Sequence, residues 1–432
     1  MAARRWGVDS LGAAVGMPSR YQRASPFISR SPGTILFPTI MSPTIGVLFP
    51  GEPTARRRWS GTPRGIVDGL EQLGVEVHGL NVNAPPAISR WLSLIAGGAM
   101  VASITRARLR PTPHQLRRVG SKGPAVARVM STVASRRLDQ SAPLDGLIQI
   151  GTGYSVETAL PIVTYEDMTI VQACDADYEA WRALPARALA ARVARQRDVY
   201  QLARACCAST HWAAASIISD YGIPAQKVHV VGVGRNVEPD GRARDEREWS
   251  PPRFLFVGRD WERKNGARVL AAFARLRADV ANAQLDVVGA HPPLPGEGLV
   301  GHGPLRLEND SDRARLAELF TRATCFVMPS VHEPAGIAYV EASAWGLPSI
   351  ATSNGGGAEL VGDGGIIVDP LDDDGLLAAM RTLCDPETAA RLGGVAEQRA
   401  QLFSDRAMSG RLLRALDLPS MRTDELPAFI NS

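Results

Sequence analysis

Two successive runs of alternating strand and helix pattern, parted by a stretch with no period, constrain this 432-residue chain more than any other feature. The parting stretch, Asn236 to Pro252 (NVEPDGRARDEREWSPP), is polar and bounded by proline, as an interdomain hinge would be. Ahead of it, strand patterns stand at Thr44–Phe49, Val75–Leu80, Gly146–Ile150, Ile162–Tyr165 and Val228–Val231, with helical patterns at Ile66–Leu73 and Arg187–Cys206. Behind it come strand Phe254–Val257, helix Ala267–Leu276, strand Leu285–Val288, helix Asp312–Arg322, strand Cys325–Met328 and a helix from about Gly336 to Trp345. Helices Leu376–Leu383 and Ala389–Leu402 and one further helix close the chain. Unbroken apolar strands alternating with helices predict parallel sheets covered on both faces. The expected class is therefore α/β, with two Rossmann-like domains at 43–236 and 253–410, a hinge at 237–252, and a C-terminal helix and loose tail at 411–432.

Residues 1–42 hold five arginines, one acid (Asp9) and no sustained period. A transit-like leader has that composition; so does translation started too early, the favoured reading, because Met41 directly precedes the first strand. Either way the extension is expected to be disordered.

Charge divides the chain further. Residues 1–250 carry 30 Lys and Arg against 20 Asp and Glu, while residues 251–432 carry 18 against 24. From Ala84 to Leu138 there is no acid, and Arg90, Arg106, Arg108, Arg110, Arg117, Arg118, Lys122, Arg128, Arg136 and Arg137 are spread along it. Its apolar part, Trp91 to Ile104, is too short to span a bilayer. Three readings stay open: a solvated basic face over a buried helix, a surface for anionic lipid or a lipid-linked acceptor, and a site for a phosphorylated or acidic acceptor. No recognised nucleic-acid module accompanies the charge. Five cysteines make no C-x-x-C and no zinc-spaced Cys/His pair, and an odd count without a secretory signal favours a reducing compartment, hence the cytoplasm, with peripheral membrane contact through 84–138 as an open reading.

Chemistry concentrates in FVMPSVHEPAGIAYVEASAWGLP, Phe326 to Pro348. Here a short apolar strand passes through a loop into a helix closed by Gly346 and Pro348, with Glu333 and Glu341 on either side of the turn. The free N–H groups of Ala335, Gly336 and Ile337 would present the positive end of the helix to a phosphate between those carboxylates. A nucleotide sugar has that shape and charge. In the loop Gly258-Arg259-Asp260-Trp261-Glu262-Arg263-Lys264-Asn265-Gly266, at the carboxyl end of another strand, Arg259 and Lys264 would supply a planar fork and a point charge for two phosphates. The Trp59-Ser60-Gly61-Thr62-Pro63 run opens a helix in the first half, and Gly61 would let a phosphate approach the backbone. Asp175-Ala176-Asp177 is read as a helix-flanking or solvated acid run and not as a metal site, and Asp372 to Asp374 as an acidic helix start.

With the Pro, the Gly and the closing Gly-Leu-Pro in place, the Glu333 to Glu341 segment resembles the E-x7-E signature of the family 4 retaining glycosyltransferases, EPFG followed by LEAMACGLP; Ala335 stands where that family usually has an aromatic. Arg259 to Gly266 is similar to its G-R-x4-K-G loop, and the run around Gly61 to its first loop. Asp167 matches the aspartate of a His-Asp pair near the acceptor, with Glu166 in the place of the histidine. Gly289 falls where the family places its base-binding region, and Asn354 to Glu359 is similar to its glycine-rich loop before a Glu.

The resemblance implies a GT-B fold, donor on the second domain and acceptor mainly on the basic first one. It further implies Glu333 on the donor sugar, Glu341 on the ribose, and Arg259 and Lys264 on the departing diphosphate. The reaction would retain anomeric configuration without a metal or any cofactor beyond the UDP- or GDP-sugar itself, and the acceptor would be a hydroxyl compound, lipid-linked or anionic among the open readings. A sugar-nucleotide 2-epimerase or phosphorylase on the same architecture is the competing expectation.

Overall fold

Short aliphatic runs such as TIGVLF and CFVM bury along almost their whole length and pair in parallel, as strands covered on both faces must. In the computed structural model, which describes residues 42–56, 58–102, 112–176, 178, 181, 183–239, 247–294, 296–419, 421 and 425–430, they build two sheets. The expected disordered extension lies outside the described residues except for Ser42, as do Asp177, Arg106, Arg108, Arg110 and part of the expected hinge.

The first sheet joins β1 (Thr44–Phe49), β2 (Glu76–Asn81), β3 (Gly146–Ile150), β4 (Ile162–Glu166), β5 (Ala205–Ala208) and β6 (Val228–Val230) in the order β2-β1-β3-β4-β5-β6. The second joins β7 (Arg253–Val257), β8 (Gln284–Val288), β9 (Leu299–Gly303), β10 (Cys325–Met328), β11 (Ser349–Thr352) and β12 (Gly365–Val368) in the order β12-β11-β10-β7-β8-β9. All pairings are parallel. Strand order reverses between β1 and β3 in one sheet and between β7 and β10 in the other. At such a point neighbouring loops diverge to opposite faces and leave a crevice beyond the strand ends, where open α/β sheets bind ligands.

The last helix, Asp405–Leu416, returns to the first sheet. Met408, Leu412, Leu413 and Leu416 share one core with Ile45, Val47, Ile66 and Val163. Gly69 permits the approach, because a Cβ there would stand 2.0 Å from the Asp405 carbonyl oxygen. Near the expected hinge, Arg247 is pinned to the second sheet's helices through the carbonyls of Phe320 (3.2 Å), Thr321 (2.9 Å), Ala323 and Trp345 (2.7 Å).

Three expectations change. The helix read through Cys206 ends at Leu202, and Ala205-Cys206-Cys207-Ala208 is a buried strand: Cys206 packs with Tyr200 and Ile217 on one face, Cys207 with Ile45 and Val163 on the other. Small apolar residues satisfy either period over so short a run. Leu299–Gly303, Ser349–Thr352 and Gly365–Val368 add three unforeseen strands; in the first, at a sheet edge, Val300 is exposed and two glycines dilute the signal. Of the expected loose tail, the described residues 425–430 are docked: Ile430 N–H donates to the Val230 carbonyl at 3.1 Å, Phe429 stacks on His229, and Arg411 and Arg414 hold the carbonyls of Ala428 and Pro427. Asp372 does start a helix, accepting from the N–H groups of Asp374 (3.1 Å) and Gly375 (2.9 Å). Among the described residues no helix is long and apolar enough to cross a membrane.

Candidate active site

Two loops meet at the β7/β10 switch point. After β7 the chain turns through Asn265 (φ +63°), whose side chain donates to the carbonyls of Pro329 (3.0 Å) and Pro370 (2.7 Å) and so ties the loop to the strand ends beside it. The residue before it, Lys264, reaches Glu333 in the loop after β10 and donates to its Oε2. The same oxygen accepts from Ser330 Oγ at 3.0 Å and from Arg263 Nη1 at 3.3 Å. A third element braces the carboxylate's backbone, because Glu333 N–H donates to the Asn354 carbonyl (2.9 Å) and Gly357 N–H to the Glu333 carbonyl (3.2 Å). Gly355 has φ +101°, and a Cβ there would stand 2.2 Å from the Glu333 carbonyl oxygen; only glycine closes this turn. Gly336, at φ +86°, then starts the helix Ile337–Ala344.

Burial pushes the Glu333 carboxyl up, but Lys264 and Arg263 outweigh it and hold the group below the usual carboxylate range. Burial pulls Lys264 down, Glu333 opposing and the neighbouring Arg263 adding to the fall. The two directions are compatible: Glu333 faces two cations, Lys264 one anion and one cation. Burial likewise weakens Arg263's hold on its proton, but Glu333, Tyr178 and Asp260 reverse that and raise it.

From the first sheet, Gly61 (φ +89°) caps the helix Thr62–Glu71, and any Cβ there would collide with Asn236 Oδ1 at 1.7 Å. Asn236 in turn donates to Glu341 Oε1 through its backbone N–H (3.0 Å) and its Nδ2 (3.1 Å). Burial raises the Glu341 carboxyl to about 7 against these bonds. Next door, Asp405 accepts from Arg235 N–H at 3.2 Å and is raised by burial to about 7. At the end of β4, burial lifts Glu166 to about 8 and Asp167 to about 6, and the Glu333 charge contributes to the second.

Glu333, Lys264, Arg263, Asn236, Glu341, Glu166 and Asp167 line one cleft of about 1910 Å3. Glu333, Lys264, Arg259, Glu341, Ala335, Gly336, Ile337, Gly289 and Asp167 all face it; Gly61 lies just behind Ser60 and Thr62, which do. Gly289 (φ +129°) serves by yielding space, since a Cβ there would stand 1.8 Å from the Gly258 carbonyl oxygen and force apart the ends of β7 and β8. Arg259 lines the cleft from an exposed position, and it is Arg263, unassigned by the sequence, that touches Glu333. The run Arg259 to Lys264 offers three cations, and spacing alone does not rank them. Asn236 was also missed, read as the first hinge residue. Glu359 of the glycine-rich loop caps the helix His211–Ser219, accepting from the N–H groups of His211 (2.7 Å) and Trp212 (2.6 Å). Asp175 ends a helix, and among the described residues no group of three or more His, Cys, Asp or Glu is placed to hold a metal ion.

Residues 251–385 match the family model of Glycosyl transferases group 1. A glycogen synthase of Mycobacterium tuberculosis is 33% identical over 34% of this chain and 38% of its own length. The alpha-maltose-1-phosphate synthase of the same organism is 34% identical over 41% of this chain and 53% of its own length. The chain thus spans well under two thirds of either relative. Sucrose-phosphate synthase from Thermosynechococcus elongatus superposes with a TM-score of 0.60 at 18% identity, over 87% of this chain and 99% of that one. The segment 251–385 belongs to the group 1 glycosyl transferases, and the two sheets that surround its cleft carry the GT-B fold.

Proposed function

We propose that this protein moves a hexosyl group from a UDP- or GDP-linked sugar to a hydroxyl acceptor, retaining anomeric configuration and using no metal. The observation that supports it best is the meeting of the half-buried Lys264 and Arg263 with the buried Glu333 beside the helix that opens at Gly336. A donor diphosphate entering there takes the cations away from Glu333, and the freed carboxylate turns to the sugar hydroxyls and to positive charge on the ring. The bond from the anomeric carbon to the diphosphate oxygen breaks as the acceptor oxygen bonds to that carbon from the same face, and the acceptor's proton passes to the departing phosphate oxygen. Lys264, Arg263 and Arg259 carry the growing negative charge of the leaving group. Glu341 takes the ribose hydroxyls, and Asp167 lies near the acceptor.

The test has two stages. Thermal stabilisation by UDP or GDP identifies the nucleotide; that nucleotide's sugars are then incubated with acceptors and the products' anomeric configuration read by NMR. A nucleotide sugar altered with no acceptor present, or turnover that needs inorganic phosphate, would replace transfer with epimerisation or phosphorolysis.

A further inference from the structure

The turn that leads into the helix Thr62–Glu71 has a conformation its side chains disfavour. Trp59 (φ +45°) and Ser60 (φ +51°) both stand in the left-handed region, followed by Gly61 at φ +89°. Glycine enters that region freely, but a bulky residue there is a true outlier and persists only where its surroundings hold it. Here Gly61 is wedged against Asn236, where a Cβ would stand 1.7 Å from Oδ1, and its N–H donates to the Arg58 carbonyl at 2.9 Å. The chain on both sides of the indole is thereby fixed.

This turn carries the indole to the cleft, which Trp59 lines while remaining 40% exposed. Phe49, the last residue of β1, braces the ring edge-to-face, with centres 6.0 Å apart and planes at 73°. Directly after β3 comes Gly151 (φ +83°); a Cβ built there would meet the indole's six-membered ring at 3.7 Å, so bare backbone lies beside it. One strand further across the sheet, β4 ends in Glu166, and Asp167 follows; both line the same cleft. Strands stand about 4.8 Å apart, so β1, β3 and β4 set the aromatic pair and the two carboxyls about 10 Å from each other. Burial raises Glu166 to about 8 and Asp167 to about 6, so at neutral pH the first mostly donates and the second accepts.

A single aromatic exposed on an outer surface needs no explanation. One lifted into a cleft on strained backbone does. An aromatic face is negative and attracts slightly positive C–H hydrogens. A sugar or cyclitol ring presents such hydrogens on its face and hydroxyls around its rim. Laid over Gly151, it would set its face on the indole and its rim at Glu166 and Asp167. An open-chain polyol has no flat face to offer, and a lipid chain has no hydroxyls for the carboxyls.

We propose that Trp59 is a specificity-determining residue, the platform on which the ring of a cyclic, polyhydroxylated acceptor stacks. This rests on the glycosyl-transfer reading for calling that ligand the acceptor, though not for the stacking itself.

The full chain is saturated with UDP or GDP, whichever stabilises it, and titrated in turn with glucose, mannose, galactose, myo-inositol and open-chain sorbitol, binding being read by saturation-transfer NMR. At least one ring compound is expected to bind, its ring C–H protons the most strongly saturated, with sorbitol about tenfold weaker. Trp59→Leu, which keeps an apolar contact for Phe49, should weaken the ring compound about tenfold and Trp59→Phe about threefold, both with nucleotide affinity intact. Should Trp59→Leu misfold, seen as lost stabilisation by the nucleotide, the parent labelled with 5-fluorotryptophan gives the reading instead. The fluorine resonance missing from Trp59→Phe is then the one that the ring compound must shift. No ring compound bound, equal binding of sorbitol, undiminished binding to a folded Trp59→Leu, or an unmoved resonance overturns the proposal. If neither nucleotide binds, the transfer reading fails, while the same titrations without nucleotide still decide whether a ring stacks on Trp59.

Discussion

Lys264 and Glu333 stand 69 residues apart in the chain and touch at the ends of adjacent strands, β7 and β10. Glu333 is buried, Lys264 is largely so, and the two share Arg263, so removing the carboxylate strands two cations beside each other. Glu333→Gln should therefore cost about 3–5 kcal/mol of stability, measured by urea unfolding at pH 7. Glu333 is held below the usual carboxylate range, so its contribution is present above the unfolded value of about 4.3 and is lost as pH falls through the folded one. The variant's unfolding free energy should consequently show a shallower acid limb than the parent's.

Asn236 aims two donors at Glu341, one from its side chain. Asn236→Ala removes that one and should push the Glu341 carboxyl above its present value of about 7. If Glu341 takes the ribose as an anion, nucleotide affinity in the parent tightens as pH rises from 6 to 8. In the variant the same tightening should move to higher pH, with an affinity about threefold to tenfold weaker at pH 7. Calorimetry across that range checks both.

Glu166 gives the opposite stability sign to Glu333. Its folded value of about 8 lies above the unfolded one, so its share of stability is full below about 4.3 and is lost as pH climbs through 8. Glu166→Gln, which keeps a neutral side chain at every pH, should lose less stability between pH 6 and 9 than the parent does. Equal slopes in thermal unfolding would contradict the assignment.

Glu359 joins the two halves by capping the helix that starts at His211. Glu359→Ala leaves two helix N–H groups without that partner and should destabilise the chain by about 1–2 kcal/mol. Glu359→Gln should recover part of the loss through its carbonyl oxygen. Urea unfolding of the three proteins side by side reads the difference.

How far residues declare themselves depends on whether the cause is local. Strands β1, β3 and β10 are legible to the residue because short aliphatic runs bounded by turn residues fit strands covered on both faces. Glu333, Lys264 and Glu341 are legible because motif and spacing coincide. Arg263 outranks Arg259 at the carboxylate for a reason that is not local: its partner Glu333 comes from the loop after β10, 70 residues on in the chain. Asn236 reads as hinge because its partners lie in both halves, Gly61 in one and Glu341 in the other. Arg192 leaves no signature in the sequence, since only the packing of the helix Ala186–Leu202 on the loop after β3 makes it part of the cleft wall.

Lys264→Ala, assayed for transfer from the nucleotide sugar that stabilises the parent, bears on everything above. Turnover should fall by about 10²-fold or more, while the circular dichroism spectrum stays native and Glu333 keeps Arg263 as a partner. Turnover within about twofold of the parent would mean that no leaving diphosphate is neutralised at this loop.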